Sequence, residues 1–306
     1  MFFEKFFNQN IDLVHEAQTI YSLLERESWE KNYPLSRTSI YKILCEHFSK
    51  WNKRGTYVNF DDYLDKNFQY CLHPCPGGLW EEENSLEFLE MIFNLLNDFF
   101  NFIPDGNYFA DQTILFEISE WERTLIQDPL KLIFENLYKI ADKTGYEFKL
   151  INRGDKHQYY QLVRKSLEAD VASQCLLNQK DEDNKKHIND IYKYLSVKSK
   201  GNLADKEKIL LSLYTYYENY KKCKIKEDSK SIKNILDDTS FLANSFVRHG
   251  AEKGLEIPLK EINCEEKEKI YDTLFDNYLI SFILISYLEN DSCSKIKLIK
   301  EQYIKK

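Results

Sequence analysis

The chain has 306 residues, of which 43% are hydrophobic, 15% aromatic and 30% charged, a composition that excludes a disordered protein. With only 9 glycines and 6 prolines it has too few turn residues for an all-β sandwich, so we expect a mainly α fold. The net charge of −8 argues against a broad coat of nucleic-acid-binding charge. Seven irregularly spaced cysteines and no leader-like start favour reduced thiols in the cytoplasm.

The N-terminal third predicts helices separated by turn residues. Apolar residues at helical spacing predict a first helix that ends at Pro34, a second from about Ser36 to residue 51, and a short third at 61–68. The following loop, residues 71–78, contains Cys71, His73 and Cys75. Zinc sites normally use four ligands in paired knuckles, so thiols packed under a loop are the better interpretation.

The next segment predicts two long helices. The sequence Asn-Ser-Leu-Glu at 84–87 is typical of a capping box and predicts a helix start. A second helical region covers 113–142, with a break expected at Asp128 and Pro129 and an end at Gly145.

The sequence then predicts a β-hairpin. Residues 146–151 alternate between the two faces of a strand, 152–155 (Asn-Arg-Gly-Asp) have strong turn chemistry, and 159–163 can pair back. We place the domain division here. Residues 1–145 are expected to form an N-terminal helical domain of unknown role, and residues 146–306 a C-terminal helical domain that includes the hairpin.

Beyond the hairpin, the periodicity predicts five helices, at about 165–177, 185–197, 205–223, 230–250 and 264–289. The last helix contains an apolar run at 278–288, shorter than the ~20 residues needed to cross a bilayer. We therefore expect no membrane association, and we interpret the run as a buried helix or as the face of a homodimer.

One stripe of the helix at 230–250 carries a group of chemically capable side chains. Asp237, Phe241, Asn244 and Arg248 recur at spacings of four, three and four residues, and His249 follows directly. The C-terminal end of a helix favours cations and raises the pKa of a histidine. The buried face of the same helix is predicted from its apolar spacing to comprise Ile232, Ile235, Leu236, Thr239, Leu242, Ala243 and Phe246.

This stripe suits phosphate chemistry. An arginine binds a phosphate through two parallel hydrogen bonds, and a histidine that titrates near neutrality can move protons at an attacking or leaving oxygen. Neither step requires a metal or another cofactor. The competing interpretation is that Arg248 pairs with Asp237 or a neighbouring acid, and that His249 and Gly250 form an ordinary helix end.

Residues 241–250 (Phe-Leu-Ala-Asn-Ser-Phe-Val-Arg-His-Gly) resemble the Asn-x-x-x-Arg-His segment of HEPN-type proteins, which include AbiJ-like abortive-infection proteins. The resemblance covers about residues 160–290. It implies a HEPN-like helical bundle that dimerises and acts on RNA without metal, as a ribonuclease in antiviral defence or as a toxin. Arg248 would then bind phosphate, His249 would be the polar residue that follows it, and Asn244 would support the site.

The chain departs from the family pattern at the second motif residue. Where that pattern has a histidine four to six residues later, this sequence has Lys253, Gly254 and Leu255. Either His249 itself carries the proton, with Asn244 and Lys253 binding substrate, or the domain is a non-catalytic module that binds a partner protein of a defence or toxin–antitoxin system. A structural or regulatory helical protein unrelated to HEPN is the third hypothesis.

Overall fold

The computed structural model describes residues 11–30, 33–51, 59–60, 62, 82–100, 120–152, 158–178, 184–224, 230–248 and 261–289. These residues are mainly helical, with two short antiparallel strand pairs, so the predicted fold class is confirmed. Contacts divide the chain into two compact units, Met1–Arg164 and Lys165–Lys306. Both strands of the predicted hairpin fall in the first of these units, where they pack on its helices.

The N-terminal unit contains α1 (Leu13–Glu25), β1 (Ser28–Glu30), β2 (Tyr33–Thr38), α2 (Ile40–Trp51), α3 (Glu82–Phe100), α4 (Glu120–Lys143), β3 (Tyr146–Asn152) and β4 (Gln158–Arg164). Helix α1 contacts α2, α3 and α4, so it lies at the centre of the helical part of this unit. Its first turn is capped by Asp12, whose carboxylate accepts a hydrogen bond from the amide of His15 at 3.0 Å.

The pair β1–β2 occupies a stretch that the sequence pattern assigned to a helix end and a helix start. Trp29 lies opposite Arg37 in the antiparallel register, and α2 begins only at Ile40. Its cap is Ser39, whose hydroxyl accepts from the amide of Lys42 at 3.1 Å. The predicted start near Ser36 was wrong because helical periodicity does not reveal the strand pairing that precedes the cap. The predicted helix at 61–68 and the loop at 71–78 lie largely or wholly outside the described residues.

Helix α3 differs from the prediction in its first residue, and helix α4 differs in its continuity at Pro129. Helix α3 begins at Glu82, two residues before the predicted capping box at 84–87. Helix α4 continues through Pro129, so the break expected there was wrong. Ile126, Leu130 and Ile133 are buried on both sides of the proline, and this packing offsets the one backbone hydrogen bond that proline removes. Residues 113–119 lie outside the described ranges, and Gly145, with φ 78°, follows α4 as predicted.

The β3–β4 hairpin forms as predicted, and helix α3 covers its outer edge. The side-chain Nδ2 of Asn94 donates to the backbone carbonyl of Tyr160 at 2.7 Å, and the backbone amide of Tyr160 donates to Oδ1 of Asn94 at 2.8 Å. One turn earlier, the fully buried Glu90 accepts from the amide of Leu162 at 2.8 Å. Two side chains of a helix therefore pair with β4 as a neighbouring strand would, and protect an edge that could otherwise aggregate.

The C-terminal unit contains α5 (Leu167–Leu177), α6 (Asn184–Tyr194), a 3₁₀ turn (Val197–Ser199), α7 (Leu203–Lys224), α8 (Lys230–Phe246) and α9 (Cys264–Glu289). Helix α9 contacts α5, α7 and α8, which makes it the central helix of this bundle. Its predicted start is confirmed by Asn263, whose side chain accepts from the amide of Glu266 at 2.8 Å. Within the part of the chain that the structure describes, no helix is both long and apolar enough to span a membrane.

Helix α6 ends at Tyr194, before the predicted residue 197. The hydroxyls of Ser196 and Ser199 both donate to the carbonyl of Lys193, at 2.8 and 2.5 Å. Serine hydroxyls that bond to the backbone in this way compete with the helical ladder, so the chain turns toward α7.

A buried lysine ties the start of α7 to α9. Lys206, only 5% exposed, bonds through Nζ to Glu268 at 2.8 Å and to Asp272 at 2.7 Å. The hydroxyl of Tyr194 donates to the same Asp272 oxygen at 2.8 Å, and the Lys206 ammonium lies 5.0 Å from the centre of the Tyr194 ring. Gly201, with φ 71°, donates its amide to Glu268 at 2.9 Å. We call Tyr194, Lys206, Glu268 and Asp272 the lysine cluster.

Candidate functional site

Helix α8 presents one buried face and one exposed face, as its sequence pattern predicted. Leu236, Thr239 and Ala243 are buried, and the Thr239 hydroxyl lies 3.2 Å from that of Ser281 on α9. Of the other residues predicted on this face, Ile235, Leu242 and Phe246 are half-buried. Packing against α9 and α7 therefore fixes which side of α8 faces solvent.

The solvent-facing stripe contains the four residues that the spacing singled out. Asp237, Phe241, Asn244 and Arg248 are all exposed. Phe241 is 59% exposed, the largest exposed fraction among the aromatic side chains that the structure gives as exposed. The stripe thus displays an acid, an aromatic ring and an amide along one side of α8, with a guanidinium just past the C-terminal end of the helix.

Helix α8 ends at Phe246, before the predicted residue 250, and Arg248 lies just beyond it. The amides of Val247 and Arg248 both donate to the carbonyl of Ala243 at 3.1 Å, which terminates the regular ladder. Arg248 still lies beside the negative end of the helix, where its charge is favoured. His249 and Lys253, the other predicted site residues, lie outside the described residues.

The Arg248 side chain is oriented by two neutral groups. Its Nη1 donates to Oδ1 of Asn244 at 3.3 Å, and its guanidinium carbon lies 6.0 Å from the centre of the Tyr214 ring. The hydroxyl of Tyr214, on α7, donates to the same Asn244 oxygen at 3.1 Å. We call Tyr214, Asn244 and Arg248 the arginine cluster. A guanidinium carries five N–H donors, so an exposed one held in this way can still donate to an external anion.

Tyr214 is a rigid support for this arrangement. It is buried, and burial raises the pKa of its phenol, while Glu218 one turn along α7 raises it further and Arg248 opposes the shift. The phenol therefore remains protonated at neutral pH and can keep donating its hydrogen to Asn244. Glu218 also contributes a negative charge to one side of the cluster.

The geometry argues against an Arg248–Asp237 pair, the partner first considered from the sequence. Asp237 lies nine residues, or about 14 Å along the axis at roughly 1.5 Å per residue, before the end of α8 at Phe246, and Arg248 lies beyond that end. The acceptor observed for the guanidinium is the amide oxygen of Asn244, one turn away. Arg248 is thus oriented by a neutral group on its own stripe.

Tyr214 was missed by the sequence analysis. Helix α7 buries Leu210, Leu213, Tyr214, Tyr216 and Tyr217. Helix α7 contacts α6, α8 and α9, so it is covered on several sides and no single stripe describes it. Three tyrosines within four residues, Tyr214, Tyr216 and Tyr217, were the available indication.

No family model matches this chain, and neither a curated protein nor a solved structure matches it. Among the side chains that the structure describes, no group of three or more His, Cys, Asp or Glu residues is placed to hold a metal ion. The assignment of residues to the HEPN pattern therefore stays a prediction.

Proposed function

We propose that the chain is a cytoplasmic, HEPN-like endoribonuclease of a prokaryotic defence or toxin system, which cleaves RNA without metal and acts as a homodimer. The observation that carries this proposal is the arginine cluster: an exposed guanidinium oriented by the neutral Asn244 and the buried Tyr214. The packing of α8 against α9 in one bundle agrees with the HEPN-like arrangement.

The cluster favours phosphate as the ligand for Arg248. Phosphate oxygens accept parallel hydrogen bonds from a guanidinium, and such charge-assisted bonds are roughly twice as strong as neutral ones. Asn244 and Tyr214 orient the side chain without neutralising it, so less conformational entropy is lost on binding. Asn244 accordingly supports the site, and Lys253 is proposed as a second substrate-binding cation.

In the proposed reaction, the ribose 2′-oxygen forms a bond to the adjacent phosphorus as the bond from phosphorus to the 5′-oxygen breaks. Arg248 stabilises the charge that develops on the non-bridging oxygens. The imidazole of His249 accepts the proton of the 2′-hydroxyl, and the departing 5′-oxygen takes a proton from water. The products are a 2′,3′-cyclic phosphate and a 5′-hydroxyl.

The test is cleavage of an end-labelled RNA by the purified chain in excess chelator. We expect fragments with 2′,3′-cyclic phosphate ends, and Arg248→Gln should lower kcat/KM by about 10- to 100-fold, because loss of one charge-assisted contact costs roughly 1.5–3 kcal/mol. The kcat/KM of Arg248→Lys should lie between that of Arg248→Gln and that of the unmodified chain, because lysine keeps the charge but cannot donate two parallel hydrogen bonds.

Lys233→Gln is the matched control, because Lys233 is an exposed cation near the opposite end of the same helix. Its activity should equal that of the unmodified chain. Cleavage that persists when Arg248 and His249 are both replaced by alanine would remove the proposal, as would intact RNA in every reaction. Light scattering on the same preparation tests the homodimer.

A second candidate function, a helical module that binds a partner protein, is favoured by the outer face of α5. Leu167, Val171 and Leu177 are all exposed there, with Leu167 at 75%. Exposed apolar side chains that share one helix are a common feature of protein-binding surfaces. Intact RNA, together with a specific protein co-purified by the unmodified chain and lost in Leu167→Asp, would favour this function.

A further inference from the structure

We propose that the stripe from Phe241 to Arg248 binds single-stranded RNA, with an unpaired base stacked on the Phe241 ring and a nearby phosphate of the same strand on Arg248. This inference rests on the proposed function and names its substrate class. It adds a specificity-determining residue, Phe241, to the arginine cluster.

The exposure of Phe241 is the first observation behind it. The ring is 59% exposed on a helix that buries Leu236 and Ala243 completely. Leaving a phenylalanine in water forgoes stabilisation on the order of 1.5–3 kcal/mol. An exposed, flat aromatic face is the kind of platform on which unpaired bases stack.

The spacing along α8 is the second observation. Phe241 lies five residues, or about 7.5 Å along the axis, before the end of α8 at Phe246, and Arg248 lies two residues beyond that end, so the two positions are on the order of 10 Å apart. At roughly 3.4 Å per nucleotide in a stacked strand, this distance spans at most about three nucleotides. One short piece of RNA can therefore reach both groups.

The charges along the stripe determine at which end of it the phosphate backbone of the RNA can lie. Asp237 and Asp238, both exposed, lie one turn before Phe241, and Arg248 lies beyond it. Phosphates are repelled at the acidic end and attracted at the other, so the backbone runs on the Arg248 side. The carboxylates instead lie where they can accept hydrogen bonds from base amino groups.

A duplex cannot satisfy this arrangement. In A-form RNA the bases are paired and stacked on one another, so proteins recognise it mainly through its phosphates and 2′-hydroxyls. Phe241 would then contribute little. The stripe consequently predicts a preference for unpaired RNA that depends on the ring and not only on the positive charge.

The experiment measures binding of the full chain to a fluorescently labelled, non-cleavable 2′-O-methyl RNA, as a single strand and as a duplex. We expect tighter binding of the single strand. Phe241→Ala should weaken it by about 5- to 100-fold, in line with roughly 1–3 kcal/mol per stacked base, and Phe241→Trp should retain it. Leu132→Ala is the matched control, since Leu132 is 39% exposed on α4 of the N-terminal unit and should change nothing.

The salt dependence of RNA affinity distinguishes the phosphate contact of Arg248 from the base contact of Phe241. Arg248→Gln should lower the slope of affinity against salt, because one phosphate contact is lost, whereas Phe241→Ala should leave that slope unchanged. Equal affinity for single strand and duplex, or unchanged binding by Phe241→Ala, overturns the inference even where Arg248-dependent cleavage is found. Phe241-dependent binding without any cleavage supports the inference and removes the nuclease. Absence of binding to both probes overturns the inference, while the nuclease is decided by the cleavage assay.

Discussion

The C-terminal unit contains two cations that are held by nearly the same set of contacts. In the lysine cluster, Lys206 and the hydroxyl of Tyr194 donate to one oxygen of Asp272, and the ammonium lies 5.0 Å from the Tyr194 ring centre. In the arginine cluster, Arg248 and the hydroxyl of Tyr214 donate to one oxygen of Asn244, and the guanidinium lies 6.0 Å from the ring centre of Tyr214.

The two clusters differ in the charge of the residue that accepts both hydrogen bonds. Asp272 carries a negative charge and is joined by Glu268, so the buried ammonium of Lys206 is neutralised where it stands. Asn244 is neutral and its arginine is exposed, so the charge of Arg248 remains available to a ligand. The comparison teaches that the charge of the acceptor and the exposure of the cation, more than the contact geometry, separate a structural cluster from a candidate binding site.

The largest predicted effect is the loss of stability on removing the cation of the lysine cluster. Lys206→Met leaves Glu268 and Asp272 facing each other without a counter-charge, and we expect it to lower the free energy of unfolding by roughly 1–3 kcal/mol, less than for a fully buried pair because both acids are partly exposed. Urea denaturation measures this change. Lys208→Met is the control, because Lys208 is 79% exposed in its side chain. Equal stability of the two variants would show that the cluster is no more than a surface network.

Replacing the neutral acceptor Asn244 with a carboxylate should neutralise Arg248, as Asp272 neutralises Lys206. Asn244→Asp adds a negative charge next to the guanidinium and repels phosphate, so we expect RNA affinity to fall by about 5- to 10-fold, or roughly 1 kcal/mol. The fold itself should be unaffected, since Asn244 is exposed. The non-cleavable RNA probe gives the readout.

Asn234→Asp supplies the matched control for that change. It places the same charge on an exposed position of α8, ten residues and about 15 Å from Asn244. If both variants lost affinity equally, the effect would be one of net charge, and the proposed role of Asn244 as the neutral support of Arg248 would be wrong.

The sequence predicted the fold well wherever one periodicity dominated. Helix α9 has the predicted bounds, 264–289, because its cap at Asn263 and its apolar run both act locally. The β3–β4 hairpin was likewise readable from alternation and turn chemistry. The β1–β2 pair and the continuity of α4 through Pro129 were not, since both depend on packing between elements that are distant in sequence.

The candidate site was predictable only in part. The stripe on α8 followed from spacing within one helix, and Arg248, Asn244 and Phe241 are exposed on it as expected. Tyr214 could not be found in this way, because it reaches Asn244 from another helix, thirty residues earlier in the chain. Contacts of this kind are set by how α7 packs against α8, which no local pattern encodes.

The smallest predicted effect concerns the pH dependence of the lysine cluster. The hydrogen bond from Lys206 lowers the pKa of Glu268 below 4.5, against the effect of burial and with help from the amide of Gly201. Because the unfolded chain binds this proton more readily, the contribution of Glu268 to stability is complete above 4.5 and is lost as the pH falls through its lower folded pKa. Glu268→Gln keeps an acceptor for Gly201 and should reduce the acid-induced loss by a few tenths of a kcal/mol, measured by urea denaturation at neutral pH and below 4.5.

Glu265→Gln tests whether that effect belongs to the cluster or to acids of α9 in general. The pKa of Glu265 is also lowered, by the hydrogen bond from Lys269, but both side chains are highly exposed. Salt screens exposed pairs much more than partly buried ones, so the effect of Glu265→Gln should vanish at high ionic strength while that of Glu268→Gln persists. If salt abolished both effects, Lys206 would hold its acids no more firmly than a surface lysine does, and the contrast with Arg248 would rest on the neutral acceptor alone.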